Sequence, residues 1–423
     1  MRWTIATILG AAIAISYLDR QALSVAVAAI QRDIPLSNTE FSELQAAFLV
    51  AYAIMYAGGG ALVDRLGTRV GLLAIMIGWS LASASHALAT GFQSLLASRF
   101  LLGIGEGGGF PAATKAVAEW FPARERSTAM GIINAGTAVG AVVAPPAIAL
   151  ILAAANWRAV FVATGGVGLL WSLWWIATYQ PAAQYGRLSA RERAEIAEVF
   201  EASGSAAAVS WFDLLGRREI WGLVVAKFLS DAAWYFYLFW LPKYLYDVRG
   251  FDVKQVGLYA WIPYAASGLG ALSGGWFSSR LLASGHSLNA ARKVALGASA
   301  ALMPIIVFVT RVPVDLAIVL FSVAFFGQQS WSTLVMIVPT DLFPRHIVAS
   351  VAGLVGFGGA MGGVVFNLVA GRILDSGLGY GVVFGIVGTF HVTAFLIILL
   401  TVREIRPLTR PLGVDRGLAR DPA

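Results

Sequence analysis

Three polar residues stand out because each lies near the middle of a long apolar segment. Arg20, Tyr52 and Glu106 are each preceded and followed by mainly apolar residues. A charged side chain at the centre of a bilayer costs roughly 2.5–3.5 kcal/mol on insertion scales, so it is a functional candidate by default. At about 1.5 Å of rise per residue, all three fall about half-way through predicted helices. We therefore expect them to meet at one level.

Arg20 is the candidate anchor for an anion. Its guanidinium group stays protonated and presents a planar fork of donors that fits a carboxylate, which lysine cannot imitate. Tyr17, three residues earlier on the same helix face, and Tyr52 could donate hydroxyl groups to the same carboxylate. The alternatives are a structural ion pair of Arg20 with Asp19 or Glu106, and simple packing for each tyrosine.

Asp19 and Glu106 are the candidate proton carriers. Withdrawal from water favours the neutral form of a carboxyl group, whereas a neighbouring cation favours the carboxylate. An anion that binds Arg20 would weaken the hold of Arg20 on a nearby acid, and that acid would then take up a proton. This arrangement predicts that anion and proton move together.

The second half of the chain has its own polar residues in apolar segments. Lys227 and Asp231, at four-residue spacing, predict an ion pair that lowers the cost of membrane insertion. Trp234 and Tyr235 could stack on a sugar ring, although core packing fits them equally well. Five side chains could hydrogen-bond substrate hydroxyl groups or neighbouring helices: Gln328, Gln329, Trp331, Ser332 and Asn367.

Motifs for enzymes and cofactors are missing from the sequence. It has no zinc-type histidine and glutamate spacing, no serine nucleophile elbow and no phosphate loop. Residues 103–108 match a dinucleotide fingerprint in letters, but no strand precedes them. There is no cysteine, which excludes disulfides and thiolate metal sites. We expect no enzyme activity, cofactor or metal, and an energy source in an ion gradient.

The composition indicates a membrane protein. Apolar residues make up 58% of the 423 residues and charged residues 13%, whereas soluble proteins have about 25% charged residues. The net charge of +7 could suggest nucleic acid, but the basic residues lie between apolar segments rather than on one face. The first apolar segment is too long for a cleaved signal peptide and contains charged residues.

The apolar segments predict an all-α protein with twelve transmembrane helices. They lie near 3–30, 41–63, 70–89, 95–120, 126–152, 157–178, 220–246, 256–279, 292–310, 314–340, 346–374 and 381–402. Most lysines and arginines fall in loops on the side of the N-terminus, which predicts that both termini are cytoplasmic. The expected location is the bacterial inner membrane, and the expected state is monomeric.

The helices divide into two related halves. We predict an N-terminal six-helix bundle at 1–179, a cytoplasmic linker at 180–218, a C-terminal six-helix bundle at 219–402 and a cytoplasmic tail at 403–423. Phe121-Pro122 is followed by Gly131, Gly136 and Gly140, and Phe343-Pro344 is followed at the same spacing by Gly353, Gly358 and Gly362. A parallel repeat of six helices is typical of transporters that rock around a midplane site. Convergence on close glycine packing is the alternative.

Residues 60–69, in the tight loop between the second and third predicted helices, resemble the signature of the major facilitator superfamily. The resemblance implies a gate made of Asp64, Arg65, Gly67 and Arg69, with Asp64 docking on the second half when the cytoplasmic side is shut. The corresponding loop of the second half has Ser279 in place of the acid.

A narrower resemblance is to the anion:cation symporter family and to bacterial hexuronate permeases. It rests on residues 17–20, Tyr52, 99–107 and 227–243, and on Gln329-Ser-Trp331-Ser332 and residues 341–345. It implies proton-coupled symport of a sugar acid, with Asp19 closer to the substrate and Glu106 behind it. The alternatives are another organic anion (an aldonate, aldarate or aromatic acid), a drug/proton antiporter or a non-transporting membrane sensor.

Overall fold

The computed structural model describes residues 1–121, 123–181, 216–343 and 345–406, which are helical and contain no strand within these ranges. The first half contains α1 (Arg2–Asp33), α2 (Asn38–Ser85), a 3-10 turn (His86–Leu88), α3 (Phe92–Gly107), α4 (Gly109–Trp120), α5 (Ala123–Ala154) and α6 (Trp157–Thr178). The second half contains α7 (Arg218–Asp247), α8 (Val253–Tyr259), α9 (Trp261–Ala283), α10 (Leu288–Ala301), a 3-10 helix (Met303–Arg311), α11 (Val314–Leu342), α12 (Arg345–Asp375) and α13 (Gly379–Thr401).

The helices of the described residues accommodate the twelve predicted membrane spans. Among the described residues, eight segments are long and apolar enough by length and composition to cross a membrane: 2–33, 62–88, 128–154, 157–178, 288–311, 314–342, 351–375 and 379–401. The other four predicted spans correspond to the first part of α2, the pair α3–α4, α7 and α9. Most of the predicted linker and the tail beyond residue 406 lie outside the described residues.

The helix boundaries differ from the prediction at four places, one of which is the eighth predicted helix, interrupted at Ala260 between α8 and α9. The second and third predicted helices run on as α2, and only Gly67, at φ 75° and ψ 156°, departs from helical geometry between them. Glycine adopts positive φ at little cost, so one residue makes the turn. The fourth predicted helix is broken at Gly108, and the ninth continues as a 3-10 helix from Met303.

The repeated glycines make the same contact in both halves. Added Cβ atoms at Gly136 and Gly140 of α5 would meet the backbone of Gly10 and Ala14 on α1. Added Cβ atoms at Gly358 and Gly362 of α12 would meet Val224 and the backbone of Phe228 on α7. Small residues let helix backbones approach closely in membranes. The sequence repeat therefore corresponds to a repeated helix packing, α5 on α1 and α12 on α7.

The two halves contact each other at one end of the bundle, which we call the closed end: the end where α1 finishes and α2 begins. There α12 packs on α2, α7 on α1, and α8 and α9 on α5. The Asp375 carboxylate accepts hydrogen bonds from the backbone N–H groups of Asn38 and Thr39, at 3.0 and 2.7 Å. The Tyr246 hydroxyl donates to the carbonyl of Val25 at 2.7 Å. Hydrogen bonds between the halves are found only at this end among the described residues.

Candidate functional site

Arg20 lies at the centre of the first half and forms a buried ion pair with Glu106. Its Nε atom is 2.6 Å from Oε2 of Glu106, and the two side chains are 3% and 0% exposed. The guanidinium carbon lies 4.9 Å from the ring centre of Tyr17, 5.4 Å from that of Phe48 and 4.6 Å from that of Tyr52. Such distances are those of cation–π contacts. The predicted level shared by Arg20, Tyr52 and Glu106 is therefore present.

Glu106 binds Arg20 through Nε alone, and the terminal nitrogens of Arg20 make no hydrogen bond to the described part of the chain. A guanidinium group has five N–H donors in a planar fork. Four of these donors remain for a ligand or water. The geometry thus leaves the fork of Arg20 available for a carboxylate while its charge is balanced by Glu106.

A cavity of about 620 Å³ lies between the halves, away from the closed end. Arg20 and Glu106 do not line it, but Tyr52, whose ring lies 4.6 Å from the guanidinium carbon of Arg20, does. Tyr52 and Tyr56 of α2 line it on one side, and Lys227, Asp231 and Tyr235 of α7 line it on the other. Met336 of α11 and six residues of α12, at positions 352–354, 356, 357 and 360, complete the wall. This volume is in the range of small-molecule sites, and we call it the central cavity.

Asp19 does not contact Arg20. Its Oδ1 accepts a hydrogen bond of 2.6 Å from the Ser83 hydroxyl, which lies 3.0 Å from the hydroxyl of Thr164. Its Oδ2 is buried without a partner. Adjacent residues on a helix point about 100° apart, so Asp19 faces the interior of the first half when Arg20 faces Glu106. Glu106 is therefore the acid that pairs with Arg20, and the position of Asp19 closer to the substrate stays a prediction.

A second buried arginine escaped the sequence reasoning. Arg99 is 0% exposed, donates to the side-chain oxygen of Gln45 at 2.6 Å and lies 4.7 Å from the ring centre of Phe48. Arg99 precedes Glu106 by seven residues, and two helical turns place both side chains on one face of α3. This spacing could have identified Arg99 as a second buried charge near Glu106.

The predicted ion pair of α7 is confirmed. Lys227 Nζ lies 2.8 Å from Oδ1 of Asp231 and donates to the Ser332 hydroxyl at 3.0 Å. Tyr235, one turn beyond Asp231, stacks on Phe239 at 5.9 Å between ring centres. All three titratable residues line the central cavity.

Two second-half candidates for substrate contact lie away from the central cavity in this structure. Asn367 is 0% exposed, accepts from the indole nitrogen of Trp240 at 2.8 Å and donates to the carbonyl of Gly363 at 2.7 Å. Trp331 is also 0% exposed and packs against the ring of His391. Both side chains point into the packed second half, so neither reaches the central cavity.

The structure does not assign a function to the remaining second-half candidates for substrate contact. Trp234 is 7% exposed and packs edge to face with Phe325 at 6.0 Å. Gln329 is half-buried, and Gln328 is 0% exposed with no partner for either side-chain polar atom. Contact of Trp234 or Gln329 with substrate stays a prediction.

The signature residues lie at the end opposite the closed end. Asp64 forms an ion pair of 2.8 Å with Lys115 of the same half, and Arg69 donates to the carbonyl of Ile176 at 3.0 Å. Arg65 is exposed. The docking of Asp64 on the second half stays a prediction for another conformation. In the described residues, no three histidine, aspartate or glutamate side chains are placed to hold a metal ion.

Comparison with known proteins identifies the class. Residues 9–366 match the model of the Major Facilitator Superfamily, and the chain belongs to this family. Among solved structures, a bacterial homologue of the human lysosomal transporter Spinster, in an inward-facing and occupied conformation, shares the fold with a TM-score of 0.74 at 20% identity. The match covers 95% of this chain and 97% of that one.

Curated relatives confirm the narrower resemblance. The "Hexuronate transporter" of Escherichia coli (strain K12) is 29% identical over 434 residues, which covers 100% of this chain and 98% of the relative. The "Galacturonate transporter" of Dickeya chrysanthemi is 34% identical over 65% of this chain and 81% of the relative. The "D-galactonate transporter" of Escherichia coli O6:H1 is 30% identical over 87% of each chain.

Proposed function

We propose that this protein is a secondary active transporter that imports a hexuronate-like sugar acid together with a proton. The observation that carries the proposal is the pairing of Arg20 with Glu106 through Nε alone, which leaves the terminal nitrogens of Arg20 for a carboxylate, close to Tyr52 in the wall of the central cavity. The names of the relatives, which are transporters of hexuronate, galacturonate and galactonate, support an organic anion as the substrate.

Coupling follows from the charge balance of the pair. Without substrate, the Arg20 charge stabilises ionised Glu106 in a site where both side chains are buried. A substrate carboxylate on Arg20 adds a second negative charge, and like charges in a poorly solvated site disfavour each other. Protonation of Glu106 relieves this repulsion, so substrate and proton bind together. Asp19, held by Ser83 behind this pair, is the proposed second proton carrier.

Alternating access supplies the transport step. The positive-inside distribution of lysine and arginine favours a cytoplasmic location for the Gly67 end. The closed end then faces outward, and the structure corresponds to an inward-facing state. In the outward-facing state, we propose that Asp64 leaves Lys115 and docks on the second half, while the contacts of Asp375 with α2 break.

Uptake by the purified protein in proteoliposomes tests the proposal. We expect labelled glucuronate or galacturonate to accumulate when the outside is acidic, and to stop accumulating when an uncoupler removes the proton gradient. A competition panel that contains aldonates, aldarates and aromatic acids identifies the preferred anion. Sugar-acid uptake that ignores the proton gradient would contradict the coupling, and absence of uptake of every organic anion would contradict the function.

A further inference from the structure

An apolar groove of about 650 Å³ lies on the perimeter of the second half, between α9 and α11. It shares no lining residue with the central cavity. Three apolar side chains on the same two helices are exposed, at 62% for Leu269, 46% for Leu316 and 54% for Val319. In a membrane-spanning bundle, apolar side chains on the perimeter contact lipid chains. The groove therefore opens toward the bilayer, and we call it the lateral groove.

The lateral groove follows one face of α11 for three turns. Six residues of this helix, which share that face, line the groove: Asp315, Ile318, Val319, Ser322, Val323 and Phe326. At about 1.5 Å of rise per residue, the face from Asp315 to Phe326 is roughly 16 Å long. One leaflet supplies half of a hydrocarbon core of roughly 30 Å. The groove therefore has the length of a lipid chain within one leaflet.

The charged end of the lateral groove lies at the closed end of the bundle. Asp315 belongs to the first turn of α11, just after the 3-10 helix. The Tyr244 hydroxyl, near the end of α7, donates to the carbonyl of Val309 in that 3-10 helix at 3.4 Å. Farther along the groove, the Ser322 hydroxyl donates to a backbone carbonyl of its own helix at 2.8 Å. The groove thus has a carboxylate at the closed end and a mainly apolar wall beyond it.

Asp315 has no partner in the described part of the chain. Its carboxylate forms neither a hydrogen bond nor an ion pair there, and Arg311, the nearest cation in sequence, is exposed and also without an ion pair. An acid in the first turn of a helix can be held for the helix dipole alone. That role requires no groove, whereas Asp315 lines one. A carboxylate at the end of an apolar wall of lipid length is complementary to an amphiphile with a cationic headgroup.

We propose that the lateral groove binds one molecule of phosphatidylethanolamine, with an acyl chain along α11 and the ammonium group on the carboxylate of Asp315. An ammonium group offers three N–H donors to an acid. A choline headgroup has no N–H donor, and an anionic glycerol headgroup would bring like charge to Asp315. Tyr259, at the end of α8, lines the same groove, and its hydroxyl has no partner among the described residues. It is a second donor for the oxygens of the lipid.

The first half carries a comparable groove without a charge. Its volume is about 550 Å³, and Ile77 of α2 and eight residues of α6 between positions 163 and 176 line it, none of them charged. This first-half groove should accept acyl chains with no preference among headgroups. One molecule therefore supplies both the test and its comparison.

Photo-crosslinking in vesicles measures the headgroup preference. The protein is reconstituted in vesicles of phosphatidylethanolamine and phosphatidylglycerol in equal amounts, with a trace of one or the other lipid carrying a diazirine in its acyl chain. Mass spectrometry then locates the crosslinks. A partly exposed ion pair changes affinity by about two- to fivefold. We expect the ratio of ethanolamine to glycerol lipid crosslinks on residues 315–326 to exceed that on residues 163–176 by this factor.

Two variants separate the charge of Asp315 from its shape. Asp315→Asn removes the charge, so the ratio at the lateral groove should fall to that of the first-half groove. Asp315→Glu keeps the charge and should keep the preference. The wild-type comparison uses a single protein, so it stands whether or not a variant folds.

Two results would overturn the headgroup assignment and leave an unselective lipid contact only. They are equal ratios at the two grooves of the wild type, and a preference that survives in Asp315→Asn. Absence of crosslinks from both lipids on residues 315–326 would overturn the lipid site itself.

Discussion

The Nε atom of Arg20 donates to Oε2 of Glu106 at 2.6 Å, with both side chains buried from solvent. This geometry separates two roles within one guanidinium group. Nε of Arg20 is bound by the protein, whereas its two terminal nitrogens make no hydrogen bond to the described residues, and the rings of Tyr17, Phe48 and Tyr52 surround the guanidinium group. Binding of substrate and charge balance can therefore occur on the same residue at the same time.

Replacement of Arg20 by lysine is expected to reduce sugar-acid affinity by about tenfold or more. Lysine keeps the positive charge but loses the planar fork, and hydrogen bonds to charged groups contribute roughly 1.5–3 kcal/mol each. Binding measured by calorimetry or by substrate-induced thermal shift gives the dissociation constant. Wild-type affinity in Arg20→Lys would show that bidentate binding is absent.

Glu106→Gln is expected to abolish the dependence of uptake on the proton gradient while substrate exchange across the membrane persists. The amide cannot exchange a proton, and it leaves the buried charge of Arg20 without its carboxylate. Removal of one partner of a buried pair costs roughly 3–5 kcal/mol. The variant should therefore be less stable, and added sugar acid should raise its thermal midpoint more than that of the wild type.

Glu119→Gln is a useful comparison for that experiment. Glu119 accepts hydrogen bonds from Thr68 and Tyr179 at 2.6 and 2.7 Å, at the Gly67 end of the first half and away from Arg20. The Glu119→Gln variant should be less stable than the wild type, but added sugar acid should raise its thermal midpoint by no more than it raises that of the wild type. Gradient-driven accumulation that survives in Glu106→Gln would remove Glu106 from the coupling mechanism.

Asp19→Asn separates proton movement from substrate binding. Because Asp19 bonds to Ser83 and not to Arg20, we expect the dissociation constant of the sugar acid to stay within about twofold of wild type, a difference below roughly 0.5 kcal/mol. Accumulation driven by an acidic exterior should nevertheless fall. Parallel binding and accumulation assays on one preparation decide this, and a large loss of affinity would place Asp19 at the substrate.

Asp375→Ala is expected to loosen the closed end. The carboxylate of Asp375 is held by two N–H groups in the first turn of α2, and an anion at a helix N-terminus contributes about 0.3–1 kcal/mol when exposed. The chain has no cysteine, so a single Ser42→Cys substitution reports access to this interface. Labelling by an impermeant maleimide should become about two- to fivefold faster.

The control for that experiment is Asp33→Ala. Asp33 lies at the same end, but its partners Trp157 and Arg158 belong to the same half. Its loss should leave the labelling rate of Ser42→Cys unchanged. Equal acceleration by both changes would mean that the label reports local fraying rather than separation of the halves.

Local patterns in the sequence were enough for the helices and for the level of the polar site. Apolar segment length sets the spans, and position along a helix sets depth, so Arg20, Tyr52 and Glu106 could be placed at one level. The glycine repeat could also be recognised from the sequence, because the spacing of glycines along α5 and α12 is set by the order of residues and does not depend on how the helices pack. The ion pair of Lys227 with Asp231 needs only the four-residue spacing of a helix.

Only the tertiary structure decided which side chains meet. Rotation of α1 within its bundle turns Arg20 toward Glu106 and Asp19 toward Ser83, although the two residues are neighbours in the chain. Packing of α7 against α12 brings Asn367 to Trp240, and Trp331 of α11 lies against His391 of α13, outside the lining of the central cavity. Sequence fixes how deep a residue lies, but the direction of its side chain depends on contacts between distant helices, which no local pattern records.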